Sequence, residues 1–258
     1  MIQLMKRMIC SRYFILSIIC GVIAHILNLG ALLPLIISGQ YDIVFYYDYS
    51  IGFGSFSSLF VLAPAISCGL TFWEEAHQSY YRLCVTRMKK REYLVSRIVC
   101  VMLISAFSAI IVVGILFLGM RVFLPFIENE SDRLIGLQQD FHGYLWAKGG
   151  VVDYIIFYML LAGLNGMLWG VFSFTVSTFT EHPFVILASP VIASQALDIL
   201  YTLTGAPNMI QPYHLMSGYF ILGETMEQEL LRIAIVFVAY LVPLIMVFTK
   251  RAWRMIYE

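Results

Sequence analysis

Six apolar runs, each about as long as a bilayer crossing and separated by polar stretches, govern what this chain can fold into. A helix rises about 1.5 Å per residue, so about 30 Å of hydrocarbon takes about 20 apolar residues. The runs cover residues 13–38, 53–73, 98–120, 154–179, 184–203 and 231–249. In hydrocarbon every backbone N–H and C=O must be paired within the protein, which leaves helices or a closed barrel. Runs this long and this uniformly apolar are helices, not barrel strands. The expectation is an all-α polytopic membrane protein with about six transmembrane helices and one membrane domain over residues 1–258. Only 12% of residues are charged and 60% are hydrophobic. A soluble domain is roughly a quarter charged, so these few charges cannot coat a water-facing surface of this size. Run 13–38 is too long for the apolar region of a signal peptide and has no A-x-A site, so it reads as a retained first helix.

Lysine and arginine set the orientation. Of 16 such residues, 12 lie in three segments. These are the N-terminal stretch (Lys6, Arg7, Arg12), the loop after the second run (Arg82, Arg87, Lys89, Lys90, Arg91, Arg97) and the C-terminal tail (Lys250, Arg251, Arg254). Six crossings put all three on one side, which is then the cytoplasm, with both termini there. The opposite loops are acidic, with Asp42, Asp48, Glu128, Glu130, Asp132, Asp140, Asp153, Glu224, Glu227 and Glu229. Net charge is zero, and nothing points to nucleic acid.

Smaller features add expectations. Pro64, Pro190 and Pro243 inside the runs predict kinks whose freed carbonyls are satisfied by neighbouring helices. Gly163, Gly166 and Gly170 with Asn165 predict close helix packing. Tyr41, Phe45, Tyr46, Tyr47 and Tyr49 read as an interfacial aromatic belt at the outer face, with a lid over a transport path as the alternative. Residues 180–183 form a tight hairpin, the segment 121–152 is the longest outer loop, and 205–223 dips partly into the membrane. Cys10, Cys20, Cys68, Cys84 and Cys100 show no metal spacing and read as small core residues. Ionisable and polar groups within spans are costly and mark candidate function. Asp198 is placed to meet a cationic group or a proton. His25 and Asn28 lie about one turn apart and share a face, either on a substrate path or hydrogen-bonding between helices.

The loop 74–97 is the most distinctive segment. It contains neither Gly nor Pro and can be helical throughout. Ala76, Tyr80, Leu83, Cys84 and Met88 recur near helical spacing and form an apolar stripe opposite a charged face. The stripe is too short and too polar to cross a membrane. It lies on the membrane surface, held by lipid headgroups, or docks on a cytosolic partner. Tyrosine and arginine make good interface anchors. That points to Glu74, Glu75, Tyr80, Tyr81, Arg82, Arg87 and Arg91 as docking residues.

The six-span layout and this loop resemble an ABC-2-type transporter permease. Such permeases carry an acidic residue at the cytoplasmic end of helix two, a glycine four residues on, and a basic–aromatic–basic pattern as helix three begins. Here Glu75 stands for the acid, Ser79 stands at the glycine position, and Arg91, Tyr93 and Arg97 supply the later pattern. The family's Pro-x-Ser-Arg turn is replaced by Thr86-Arg87-Met88-Lys89-Lys90-Arg91. The resemblance implies a dimer with an identical or homologous second permease subunit and two ATPase subunits beneath. Loop 74–97 would be the coupling helix seated on the ATPase, and residues 1–12 an amphipathic helix along the inner surface. The chain has no G-x-x-x-x-G-K-[ST] run to cradle ATP phosphates, so it cannot hydrolyse ATP in that way itself; no cofactor is expected on this chain, and ATP–Mg is expected in the partner ATPase. The expected role is an exporter in the bacterial plasma membrane.

Two other classes share features with the chain. Glu74-Glu75 at a span end resembles the paired glutamates of CAAX-type intramembrane proteases, but the next arginine is Arg82, off that family's spacing, and no matching histidine pair is present. A non-transporting sensor or immunity subunit on the same scaffold is the second alternative.

Overall fold

The computed structural model describes residues 2–39, 42–52, 57–77, 89–125, 141–205, 212 and 226–257. They are all-helical. The helices are α1 (Ile2–Ile9), α2 (Arg12–Leu29), α3 (Leu33–Ile37), α4 (Ile43–Gly52), α5 (Leu62–His77), α6 (Lys90–Arg121), α7 (Phe141–Val176), α8 (Pro183–Thr204) and α9 (Met226–Tyr257). Short 3-10 turns at Gly30–Leu32 and Ser57–Val61 precede α3 and α5. Five helices are long and apolar enough to cross a membrane, within Arg12–Leu29, Lys90–Arg121, Val152–Val176, Pro183–Thr204 and Glu227–Arg254. The apolar helix near the second run, Leu59–Thr71, is shorter.

The faces of α2 show what solvent surrounds the bundle. Its inward residues are Phe14, Ser17, Gly21, Ala24, His25, Asn28 and Leu29, mostly small or polar. Its outward residues include Ile15, Leu16, Ile19, Ile23, Ile26 and Leu27. A helix in water does the opposite, placing its large apolar side chains inside. Small and hydrogen-bonding residues inside with aliphatics outside is the arrangement for helices packed in lipid, where burying leucine gains nothing over leaving it in hydrocarbon.

Helix α5 is the central post. Ala63, Pro64, Ala65, Ile66, Ser67, Cys68, Gly69 and Leu70 are all buried, and α2, α6, α7 and α8 pack around it. So complete an enclosure requires small side chains, and that lowers the hydropathy of this stretch. The closest approaches are at glycines. A Cβ on Gly166 would lie 2.6 Å from the Ser105 carbonyl oxygen, and one on Gly170 would lie 2.5 Å from Ser105 Cβ. These contacts seat α7 on α6, as the small-residue spacing predicts. Two apolar cores lie above and below this belt. One gathers Ile43, Tyr46, Tyr47, Phe117, Tyr154 and Tyr158; the other gathers Phe14, Tyr93, Leu94, Ile104, Phe174 and Phe248.

The first run is not one helix to residue 38. Helix α2 ends at Leu29 and gives way to a 3-10 turn and the five-residue α3. Pro34 has no N–H and its ring crowds the carbonyl four residues back, which kinks or breaks a helix; here the helix breaks, and Pro34 sits in the first turn of α3, where a missing N–H costs little. The aromatic cluster is likewise not a belt. Tyr46 and Tyr47 are buried, with Tyr47 stacked 4.8 Å from Phe117 and edge-on to Tyr158 at 5.0 Å. Asp42 caps α4 by accepting the Phe45 N–H at 2.7 Å, and Ile43 N–H donates to the Pro125 carbonyl at 3.2 Å. These bonds turn α4 back into the bundle. Tyr41 lies outside the described residues, as do 78–88, 126–140 and all of 205–223 except Gly205 and Pro212. Helix α7 starts at Phe141 and takes up the second part of the segment expected as outer loop.

The prolines inside helices behave differently from one another. Pro190 lacks the N–H that the Ile186 carbonyl would accept, and Ser173 Oγ on α7 donates to that carbonyl at 3.0 Å, as does Ser189 Oγ at 3.0 Å. Pro64 sits in the first turn of α5, where a missing N–H costs little. Of the cysteines, Cys68 and Cys100 are buried and Cys20 half-buried, but Cys10 is exposed, against the expectation of a core residue; Cys84 is outside the described residues.

Candidate functional site

The start of α2, the end of α5, the start of α6, the α7–α8 turn and the end of α9 meet at one end of the bundle, from which loop 74–97 departs. Tyr13 OH donates to Glu74 Oε1 at 2.5 Å, and Arg12 lies 3.9 Å from the same oxygen. The neighbouring residue faces another way: Trp73 Nε1 donates to the Glu181 carbonyl in the α7–α8 turn. Arg251 of α9 holds the same turn, donating from Nε to the Thr178 carbonyl at 3.4 Å with its guanidinium over the Phe179 ring. A cation at the carbonyls just past the end of α7 also complements the helix dipole. Two adjacent residues, Trp73 and Glu74, thus tie the root of the loop to the α7–α8 turn and to α2.

The expected docking residues are placed as follows, as far as they are described. Glu74 is part-buried and accepts from Tyr13. Glu75 is within α5, while Tyr80, Tyr81, Arg82 and Arg87 lie outside the described residues. Arg91 is exposed on the first turn of α6. Tyr93 and Arg97, two and six residues further, are buried, with the Arg97 guanidinium 5.3 Å from the Tyr93 ring centre. Within 1–12, α1 buries Met8 and packs Leu4, Met5 and Ile9 against the lower core, leaving Lys6 and Arg7 outward. This is the amphipathic character expected, with its apolar side on protein.

His25 and Asn28 do share a face, and both reach Ser50 of α4. Asn28 Nδ2 donates to the Ser50 carbonyl at 3.0 Å, and His25 Nδ1 lies 3.2 Å from Ser50 Oγ. Ser50 Oγ also lies 2.9 Å from the Tyr47 carbonyl, to which it can donate its single hydrogen. When it does so it accepts from His25 Nδ1–H. The imidazole also stacks on Phe60 at 4.0 Å. The group is enclosed and pins α4 to α2. Asp198 is not part of it: it is exposed on α8, which packs on α5, α7 and the 3-10 turn Ser57–Val61. Among the described residues no three His, Cys, Asp or Glu side chains group as metal ligands.

A cleft opens where no motif pointed. Helices α8 and α9 both pack on α7 but diverge from each other. The space between them, about 450 Å³, is lined by residues that include Trp169 and Phe172 of α7, Leu197 of α8, Tyr240 and Pro243 of α9, and Pro212. Tyr201 OH and Tyr240 OH bridge the two walls at 2.5 Å. Sequence reading missed Trp73, Ser50, Tyr201, Tyr240 and Arg251, because each acts through a partner far along the chain. Asn165 and Trp169, at i and i+4 within a span, did carry a readable signal.

No protein-family model, no curated protein and no solved structure matches this chain.

Proposed function

We propose that the chain is the membrane-spanning permease subunit of an ABC transporter, an exporter driven by a separate ATPase that docks on loop 74–97. The observation that carries this reading is the attachment of the loop's root. Trp73 and Glu74 grip both the α7–α8 turn and the start of α2. A push on the loop is thereby delivered to three spans at once, which is what a coupling element has to do. In this reading ATP binding and hydrolysis close the ATPases, the loop moves, and the spans re-pack between inward-open and outward-open arrangements.

Six crossings are supported by length. Helix α5 with its preceding 3-10 turn has 16 and 5 residues. At about 1.5 and 2.0 Å per residue these reach about 34 Å, enough for a bilayer core. Both termini then lie at the basic end, which the positive-inside rule assigns to the cytoplasm. A second permease subunit, like or unlike, completes the transporter in the bacterial plasma membrane.

Three measurements test this. A cysteine replacing Arg254, in a background without other cysteines, reacts with an impermeant maleimide only after cells are opened, whereas one at Gly39 reacts on intact cells. A cytosolic ATPase with a Walker A motif co-purifies with the chain and is lost with Tyr80→Asp or Arg82→Glu. The reconstituted complex hydrolyses ATP faster with its substrate. If no ATPase co-purifies, or if one stays bound to both variants, the docking assignment is wrong.

A further inference from the structure

A recess of about 190 Å³ lies at the basic end of the bundle, where α1, α2 and α5 meet; its lining includes Arg7, Ser11, Arg12, Tyr13, Thr71 and Glu74. Two of the apolar runs set its height. Tyr13 opens the run 13–38, and Glu74 follows directly on the run 53–73. Helices α2 and α5 therefore both change from apolar to charged at this recess, and in a bilayer that is the level of the headgroups. The recess brings together two guanidinium groups and one carboxylate, charges of both signs. Arg12 donates to the Tyr13 hydroxyl at 3.3 Å, and its side chain is 83% exposed. Glu74 Oε1 accepts from Tyr13 OH and faces Arg12, while Glu74 Oε2 accepts from none of the described residues. Towards the middle of the bundle, the face of α2 that bears Arg12 continues as Ile15, Leu16 and Ile19, each about half-exposed. A molecule with its polar head in the recess has its hydrocarbon beside these three aliphatic side chains.

We propose that this recess binds the headgroup of a zwitterionic lipid with a primary ammonium, the ethanolamine class: its phosphate against Arg7 and Arg12, its ammonium against Glu74 Oε2, and its acyl chains along Ile15, Leu16 and Ile19. Guanidinium groups match phosphate oxygens with paired N–H donors, and basic pockets beside spans are where lipid headgroups are held. The carboxylate selects within that class. A primary ammonium has N–H groups to donate to it, and a choline headgroup has none. A headgroup with the phosphate alone gains the arginines but leaves Glu74 without a cationic partner. The site requires that the chain crosses a bilayer; it does not rest on the transporter reading.

The full chain, purified in detergent, is titrated with dioleoyl phosphatidylethanolamine, phosphatidylcholine and phosphatidylglycerol, and the lipid-bound fraction is read by native mass spectrometry. The ethanolamine lipid should bind about fivefold more tightly than the choline lipid, the scale of one net hydrogen bond. The glycerol lipid should bind no more tightly than the ethanolamine lipid. Glu74→Gln keeps an acceptor for the Tyr13 hydroxyl while removing the charge, and it should abolish the preference for ethanolamine over choline. Arg7→Gln combined with Arg12→Gln, both at exposed positions, should weaken binding of either lipid about tenfold, the scale of one charge-assisted hydrogen bond. Soluble glycerophosphoethanolamine, which has the headgroup without the chains, should not displace the lipid at equal concentration. The proposal is overturned if ethanolamine and choline lipids bind equally, if the glycerol lipid binds more tightly than either, if the preference survives Glu74→Gln, if the arginine variant binds unchanged, or if the soluble headgroup competes as well as the lipid. The comparisons among lipids and with the soluble headgroup use the unaltered chain and decide the matter even should a variant not fold. No ATPase enters the assay, so an absent ATPase would sink the transporter reading alone and equal lipid binding would sink the recess alone.

Discussion

The Tyr13 hydroxyl and the Glu74 carboxylate meet at 2.5 Å across 61 residues of sequence, joining the first long helix to the last turn of the central one. Arg12 approaches the same carboxylate oxygen but is largely solvent-exposed, so it adds little. Tyr13→Phe and Glu74→Leu should each lower stability by about 1 kcal/mol, the net worth of such a hydrogen bond. A double-mutant cycle read by thermal unfolding in detergent should show the two losses to be non-additive. Additive losses would mean that the pair does not interact.

The freed carbonyl of Ile186 gives a second test. Ser173→Ala removes one of its two hydroxyl donors and should cost about 0.5–1 kcal/mol, in the range measured for hydrogen bonds between membrane helices. Pro190→Ala restores the missing backbone N–H, so the penalty of Ser173→Ala should shrink in that background. An undiminished penalty would show that Ser173 acts through packing alone.

Glycines separate by what a methyl group would meet. Gly166→Ala drives a Cβ against the Ser105 backbone and should destabilise by about 1–3 kcal/mol. Gly119→Ala, in a helix and with open space around it, should stabilise by up to about 1 kcal/mol. Equal effects at the two positions, read from melting temperatures, would contradict the α6–α7 interface described above.

Asn28→Leu keeps approximate size but removes the donor to the Ser50 carbonyl. The expected loss is about 0.5–1.5 kcal/mol, with faster hydrogen exchange across α4, since Asn28 and His25 are what hold that helix against α2. Unchanged exchange in α4 would show that its aromatic packing holds it in place unaided.

Much of the helical layout is legible residue by residue. The runs near 98–120, 154–179, 184–203 and 231–249 each overlap a long helix, because sustained apolar sequence needs paired backbone and only a helix supplies it locally. The glycines of α7 were readable for the same local reason. The first run misleads at Pro34, where hydropathy continues and backbone geometry does not. Tyr46 and Tyr47 mislead because an aromatic residue near a span end looks alike whether it faces headgroups or Phe117. Glu74 was picked out as chemically conspicuous, but its direction depended on where Tyr13 would be.

Sequence by itself determined that the chain forms helices long and apolar enough to cross a membrane, and which segments they occupy. Those are properties of composition and of bonds closed within four residues. Only the tertiary structure decided that α5 is the central post, that α4 folds back onto His25 and Asn28, that Trp73 and Glu74 bind opposite neighbours, and that α8 and α9 part to leave a cleft. Each of those is a contact between distant segments, set by which small residues allow helices to approach and which do not. Periodicity along one helix carries no information about the helix it will meet.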